Sequence, residues 1–233
     1  MFAMIGIIGA MEEEVADLKA AMEDVRTETR AGMQFFLGKL SGKDCCLVCS
    51  GIGKVNAAAC AQLLCDRYGA EIVMNTGIAG ALKPGIQIGD LVLSSDAVQH
   101  DFDCVGFGYP LGVIPRMETS AFPADERLVK LAEKCCREVL PEVPVHVGRV
   151  ASGDVFVSSA ETKARILGQY DALCCEMEGA AIAQTAYLNR VPYLIVRAMS
   201  DQADGSAPEQ YDKFQDEAIS RFVKLMLAMV KDL

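Results

Sequence analysis

Apolar runs of strand length alternate along the chain with segments whose apolar residues recur at helical spacing. MIGIIGA (4–10) reads as a buried first strand. EEEVADLKAAMEDV (12–25) follows, with Val15, Leu18, Ala21, Met22 and Val25 on one helical face. MQFFLGKL (33–40) and DCCLVCS (44–50) flank Ser41-Gly42 and predict a hairpin. A glycine turn opens SGIGKVNAAACAQLLCDRY (50–68), which becomes an Ala/Leu-rich helix. EIVMNTGIAGAL (71–82) predicts a strand running into a Gly-rich turn, and DLVLSSDAVQHD (90–101) another strand. Residues 102–123 carry six glycines and prolines among aromatics and read as a structured loop. A helix (125–140), a strand and its exit (145–157), a strand (170–177) and a helix (178–189) come next. The chain closes with a strongly β-forming strand (191–201) and a long helix (208–230) that places Phe214, Ala218, Phe222 and Leu225 on one face.

This alternation predicts an α/β fold, a sandwich around a central, largely mixed sheet. No Pro/Ser-rich linker, charge block or repeat divides the 233 residues, so one domain is expected over 1–233. In such folds functional residues gather at strand ends and the loops after them. Four segments stand there: GAMEEE, NTGIAG, CEMEG and RAMSD.

Composition narrows the classes. The net charge of -10, from 32 acidic against 22 basic residues, argues against nucleic-acid binding, which needs Lys/Arg contacts to phosphates. The apolar start MFAMIGIIGA lacks a basic n-region and runs straight into Glu12, Glu13 and Glu14. It therefore reads as a strand and not as a signal peptide, and a cytoplasmic protein is expected. No uncharged apolar stretch is long enough to span a bilayer. The ten cysteines read as reduced thiols acting as small hydrophobes. Cys46 and Cys49 form a C-x-x-C, but in a strand residues three apart face opposite ways. Neither His100 nor His146 sits at ligand spacing to a cysteine, so neither metal nor cofactor is expected.

The candidate chemistry lies in the four segments. Arg197 sits in a strand so apolar that its guanidinium needs a partner or a ligand. Ser200 and Asp201 come where that strand should stop, a place such residues also take as turn or helix caps. Glu176 and Glu178 follow another apolar strand, and Glu12, Glu13 and Glu14 open a helix, where the dipole favours acids in any case. The turns in NTGIAG and SGIGK could bring backbone N–H groups near a ligand, but neither fits a nucleotide-phosphate motif. Several carboxylates, one arginine and no metal ligands suit cleavage of a glycosidic bond. One acid would protonate the leaving group and another carboxylate would handle water on the opposite face.

The segments IGIIGAMEEEV, SGIGKVNAA, NTGIAGAL, HDFDCVGFGY, SGDVF, CEMEGAAIA and VRAMSDQAD occur in an order that resembles the 5′-methylthioadenosine/S-adenosylhomocysteine nucleosidases of the purine and uridine phosphorylase superfamily. The resemblance covers nearly the whole chain and implies a three-layer α/β/α sandwich, usually a homodimer. It implies that Glu14 activates water and that Asp201, positioned by Ser200, protonates N7 of adenine. Glu178, helped by Met177, would bind the ribose hydroxyls, and Arg197 would help hold the water. Phe156 would stack on adenine and the Val157 backbone would read its edge. Met11, Ile52 and Tyr211 would line the ribose and alkylthio region, with Gly80 in the matching substrate loop. Phe107 and Pro115 would reach the partner subunit's pocket. Two positions depart from the family: Ile78 stands in NTGIAG where many members have a serine that helps hold the catalytic glutamate. Cys104 replaces a more usual aliphatic residue near the alkylthio end.

The expected reaction is adenine release from 5′-methylthioadenosine and S-adenosylhomocysteine, with 5′-deoxyadenosine as a further substrate. Three alternatives stay open: a futalosine-type nucleosidase, a phosphate-dependent phosphorylase on the same fold, and a nucleoside-binding protein without turnover. Three carboxylates at 12–14, where a phosphorylase would place an arginine, weigh against phosphate.

Overall fold

The computed structural model describes residues 4–233; residues 1–3, included in the one-domain expectation, lie outside the described residues. In chain order the elements are β1 (Met4–Gly9), α1 (Glu12–Ala20), β2 (Glu23–Arg30), β3 (Met33–Leu40), β4 (Lys43–Cys49), α2 (Lys54–Asp66) and β5 (Ala70–Ala81). They continue with β6 (Leu91–Gln99), β7 (Ala121–Pro123), α3 (Glu126–Val139), β8 (Val145–Ser152), α4 (Ala160–Tyr170) and β9 (Cys174–Glu176). The last three are α5 (Gly179–Asn189), β10 (Tyr193–Asp201) and α6 (Ala207–Asp232).

All ten strands join one mixed sheet, ordered β10-β6-β8-β9-β5-β1-β4-β3-β2, with β7 on β6 and a further pairing of β10 to β5. That last pairing closes β5, β10, β6, β8 and β9 into a ring, while β1, β4, β3 and β2 extend from β5 as an open arm. Alternate strand residues face two cores. Ile5 and Ile7 pack with α1, α3 and α6, including Leu18, Leu128, Phe222 and Met226. Ile8 packs on the other face with α2 and α5, including Leu64 and Ile182. Helices thus cover both faces of the mixed sheet, the three-layer α/β/α arrangement expected.

Three expectations need correction. The helix expected over 12–25 ends at Ala20, and EDVRTETR forms β2, an almost wholly exposed edge strand. Its backbone is held by antiparallel pairing to β3, a tertiary cause that its polar sequence does not show. The NTGIAG segment is no turn: β5 runs through it to Ala81, buried at every position from Val73 onward. Gly80 therefore stands in a strand and not in a loop. The strand in 145–157 ends at Ser152, with the rest of the segment as its exit, while the strand expected over 170–177 shrinks to Cys174–Glu176. Residues 160–170, which carry no clear sequence signal, form α4 behind a Ser159 cap that accepts from Thr162 N.

Candidate active site

The site forms where β1, β5 and β10 run side by side through the sheet. Parallel pairing sets Arg197 beside Gly77 and Asp201 beside Gly80. Both glycines are required by space. A Cβ at Gly77 would overlap Arg197 Nη1 and Glu14 Oε1, and one at Gly80 would lie 2.8 Å from Asp201 Oδ1. Glu14 and Asp201 thus meet β5 at points three residues apart, about 10 Å at the rise of a strand.

Glu14 comes from the first turn of α1 and folds back on its helix start. Its Oε2 accepts from Ala10 N at 2.7 Å and Met11 N at 3.1 Å, and its Oε1 accepts from Ile78 N at 3.0 Å. Burial pushes its carboxyl above the ordinary range, against the opposing pull of Arg197 and these three N–H groups. The Ile78 backbone N–H holds Glu14 without any hydroxyl at that position.

Arg197 is the largest fully buried side chain. Its Nη2 donates to Asn75 Oδ1 at 2.6 Å and to the Glu176 carboxylate, and lies 3.9 Å from Glu178. Glu176 also accepts from Glu178 N and Gly179 N at 3.1 and 2.7 Å and bonds the Ser152 hydroxyl. Glu176 is thus the partner that the buried arginine demanded, and it docks the start of α5. Glu178 Oε1 accepts from Gly53 N at 2.7 Å. Burial first, then the Glu176 charge, push Glu178 to about 7 against the pull of Arg197.

Asp201 ends β10. It accepts from Ala203 N at 2.7 Å and from the Ser200 hydroxyl at 2.8 Å, so the capping role is real. Burial nevertheless raises its carboxyl, more than these two donors lower it. A residue can cap a turn and still face a ligand, and Asp201 does both.

These groups open on one cavity of about 480 Å³. Of the expected residues, Met11, Glu14, Ile52, Ile78, Gly80, Phe156, Val157, Met177, Glu178, Ser200, Asp201 and Tyr211 line it. Phe156 stands edge-on to Tyr211, ring centres 6.2 Å apart. Arg197 lies beneath the cavity and is not part of its wall. Cys104, Phe107 and Pro115 do not line this chain's cavity, and Phe107 is 86% exposed. Pro208 and Asp212 from α6, Val155 and Cys175 line it without having been expected. Five carboxylates line the wall (Glu14, Glu176, Glu178, Asp201, Asp212), and among the described residues no Lys, Arg or His does.

Comparison with known proteins follows the geometry. Residues 4–231 match the Phosphorylase superfamily. The chain is similar to the 5′-methylthioadenosine/S-adenosylhomocysteine nucleosidase of Staphylococcus carnosus (strain TM300), 41% identical over 231 residues, 99% of this chain and 100% of the relative. Its fold is similar to a crystal structure of the same-named enzyme from Neisseria meningitidis in complex with methylthio-immucillin-A, at a TM-score of 0.95 and 37% identity, covering 99% of each chain. It is also similar to a futalosine hydrolase mutant of Helicobacter pylori strain 26695, at a TM-score of 0.94 and 32% identity, covering 99% of this chain and 100% of that one.

Proposed function

The chain belongs to the Phosphorylase superfamily and, within it, to the 5′-methylthioadenosine/S-adenosylhomocysteine nucleosidases, and from that membership we propose how its own residues carry the reaction. It is an N-glycosyl hydrolase that releases adenine from 5′-methylthioadenosine and S-adenosylhomocysteine, working as one domain over 1–233. Water adds to the anomeric carbon as the bond to the purine breaks. The bond's electron pair passes into the adenine ring, which takes the Asp201 proton at N7. Glu14 takes a proton from the water. Proton transfer from Glu14 back to Asp201 resets the site. Glu178 holds the ribose hydroxyls, and Phe156 and Val157 hold the base.

The observation that carries hydrolysis over phosphorolysis is the charge of the wall. Phosphate needs cationic or N–H donors. The N–H groups of Ala10 and Met11, just before α1, are already taken by the Glu14 carboxylate, and among the described residues no cation lines the cavity. Adenine release is therefore expected at the same rate with and without added phosphate, and a strict phosphate requirement would overturn the reading. The same assay run on aminodeoxyfutalosine separates the futalosine-type reading: a faster rate there than on 5′-methylthioadenosine would reassign the substrate.

The homodimer and the cytoplasmic location belong to the proposal as well. Val105 and Phe107, exposed in the 102–115 loop, supply an apolar tip that a second copy would cover. The ten cysteines are all unbridged, as a reducing compartment requires. Among the described residues no helix is long and apolar enough to cross a membrane.

A further inference from the structure

The GIGK segment fits no phosphate motif, yet its lysine is more than four-fifths enclosed and makes two side-chain hydrogen bonds. Lys54 Nζ donates to Asp101 Oδ1 at 2.6 Å and to Gln99 Oε1 at 3.0 Å, with 17% of its side chain exposed. Its backbone N donates to Asp154 Oδ1 at 2.8 Å, from a residue 100 positions away. Asp154 N in turn donates to Asp101 Oδ2 at 2.9 Å. The three residues close a triangle in which one aspartate bridges a side-chain ammonium and a backbone N–H, and the other covers the start of α2.

Two corners of that triangle, Lys54 and Asp154, lead into the active site. Gly53, one residue before Lys54, donates its N–H to Glu178. Its φ of 96° and the 3.1 Å that a Cβ would leave to Asp154 Oδ1 both call for glycine. Asp154 is followed at once by Val155, Phe156 and Val157, all on the cavity wall. Gly153, before it, donates to the Glu176 carbonyl at 3.1 Å. The 153–157 segment has no helix or strand of its own to hold it. Beyond the triangle, Gln99 passes the chain on to Gln184 of α5 at 2.5 Å.

We propose that Lys54 is a positioning residue: with Asp101 and Asp154 it forms a polar strut that fixes the Phe156–Val157 wall at a set distance from Glu178. What stacks on that wall rests on the nucleosidase reading, but the strut does not. The strut acts on binding of the base and leaves proton transfer at Asp201 and Glu14 alone. The pull of Lys54 on Asp101, whose carboxyl is held below its ordinary range although burial pushes it upward, fits a tight pair.

The test uses the whole protein and the variants Lys54→Met, Lys54→Arg and Asp101→Asn. In the ligand-free state, amide hydrogen exchange over 153–158 should rise by about tenfold or more in Lys54→Met and return toward wild type in Lys54→Arg, as expected for loss of one charge-assisted bond. KM for 5′-methylthioadenosine and the Kd for adenine should rise together by about tenfold in Lys54→Met, with kcat within about threefold. Should Lys54→Met fail to fold, Asp101→Asn, which keeps the side chain's shape, carries the same test. Unchanged exchange and unchanged KM, or a fall in kcat alone, would overturn the strut. Wild-type protein that releases no adenine would sink the function, while the exchange data would still decide the strut.

Discussion

The floor and the rim of the cavity are built in opposite ways. The floor is strand. Glu14, Arg197 and Asp201 stand on or beside β5 and β10, at 2%, 1% and 2% exposure, and their polar atoms, Arg197 Nε excepted, meet backbone N–H groups or buried partners. The rim is loop. Ile52 and Phe156 are about half exposed, and Phe156 is held from outside by polar contacts reaching across a hundred residues. A floor of buried charge tunes proton affinity, because desolvation raises the Glu14 and Asp201 carboxyls while fixed donors oppose it at both and Arg197 opposes it at Glu14. A rim of exposed apolar groups selects what enters, and its weaker hold leaves it adjustable. Chemistry should therefore fail when the floor is changed, and binding when the rim is.

The largest effect is expected at the floor. Asp201→Asn should lower kcat by about a thousandfold, the range for loss of a general acid, while adenine affinity stays within about threefold. Glu14→Gln should cost a similar factor. In the wild type, kcat/KM should fall at low pH as the raised Glu14 carboxyl takes a proton, and at high pH as Asp201 loses one. In Asp201→Asn the alkaline limb should vanish. A variant that keeps the bell shape would show that another group donates the proton, and a loss of affinity equal to the loss of rate would move Asp201 to the rim's role.

The next effect is on stability and again belongs to the floor. Glu14, Glu176 and Glu178 crowd one guanidinium, and Glu178 is pushed to about 7 from an ordinary 4.5. The folded carboxyl binds its proton more tightly than the unfolded one, so folding takes up a proton between these values. Stability gained from that proton is complete below the unfolded value and is lost as pH rises through about 7, by at most a few kcal/mol. Ligand-free protein should show a lower Tm at pH 8 than at pH 5, and Glu178→Gln should flatten that slope. An unchanged slope in the variant would place the titration elsewhere in the cluster.

At the rim, Phe156→Ala should raise KM by about tenfold through lost stacking on the base, with kcat changed by less than about threefold. A fall in kcat without a change in KM would break the division between the two regions.

The same division explains what could be read from the chain before folding. The floor strands announce themselves: an arginine inside VPYLIVRAMSD demands a buried partner, and Glu176 two residues from Glu178 was on the page to supply it. The use of each acid was not legible, because a helix-start glutamate and a capping aspartate look alike whether or not a cavity lies beside them. The NTGIAG glycines suggested a turn by composition. Their cause is crowding by Arg197, Glu14 and Asp201, which arrive from distant segments. The rim left still fewer marks. Lys54, Asp101 and Asp154 are ordinary surface residue types, and only folding across a hundred residues makes them one unit. The polar β2 and the short α4 went unread for the same reason, since tertiary pairing and packing decide them.

The smallest effect is expected where floor and rim meet, at Ile78. Its N–H belongs to the floor and bonds Glu14, while its side chain packs among core residues and lines the cavity. A serine there would offer Glu14 a fourth donor, its hydroxyl. Three N–H groups already hold this carboxylate at 2.7, 3.0 and 3.1 Å, so a further donor would add little to its placement. Ile78→Ser should thus change kcat/KM by less than about threefold while lowering Tm, because a buried aliphatic group is exchanged for a smaller polar one. A tenfold gain in kcat with no change in KM would mean that the three N–H bonds leave Glu14 short of its working geometry, and that the floor is less complete than its hydrogen bonds imply.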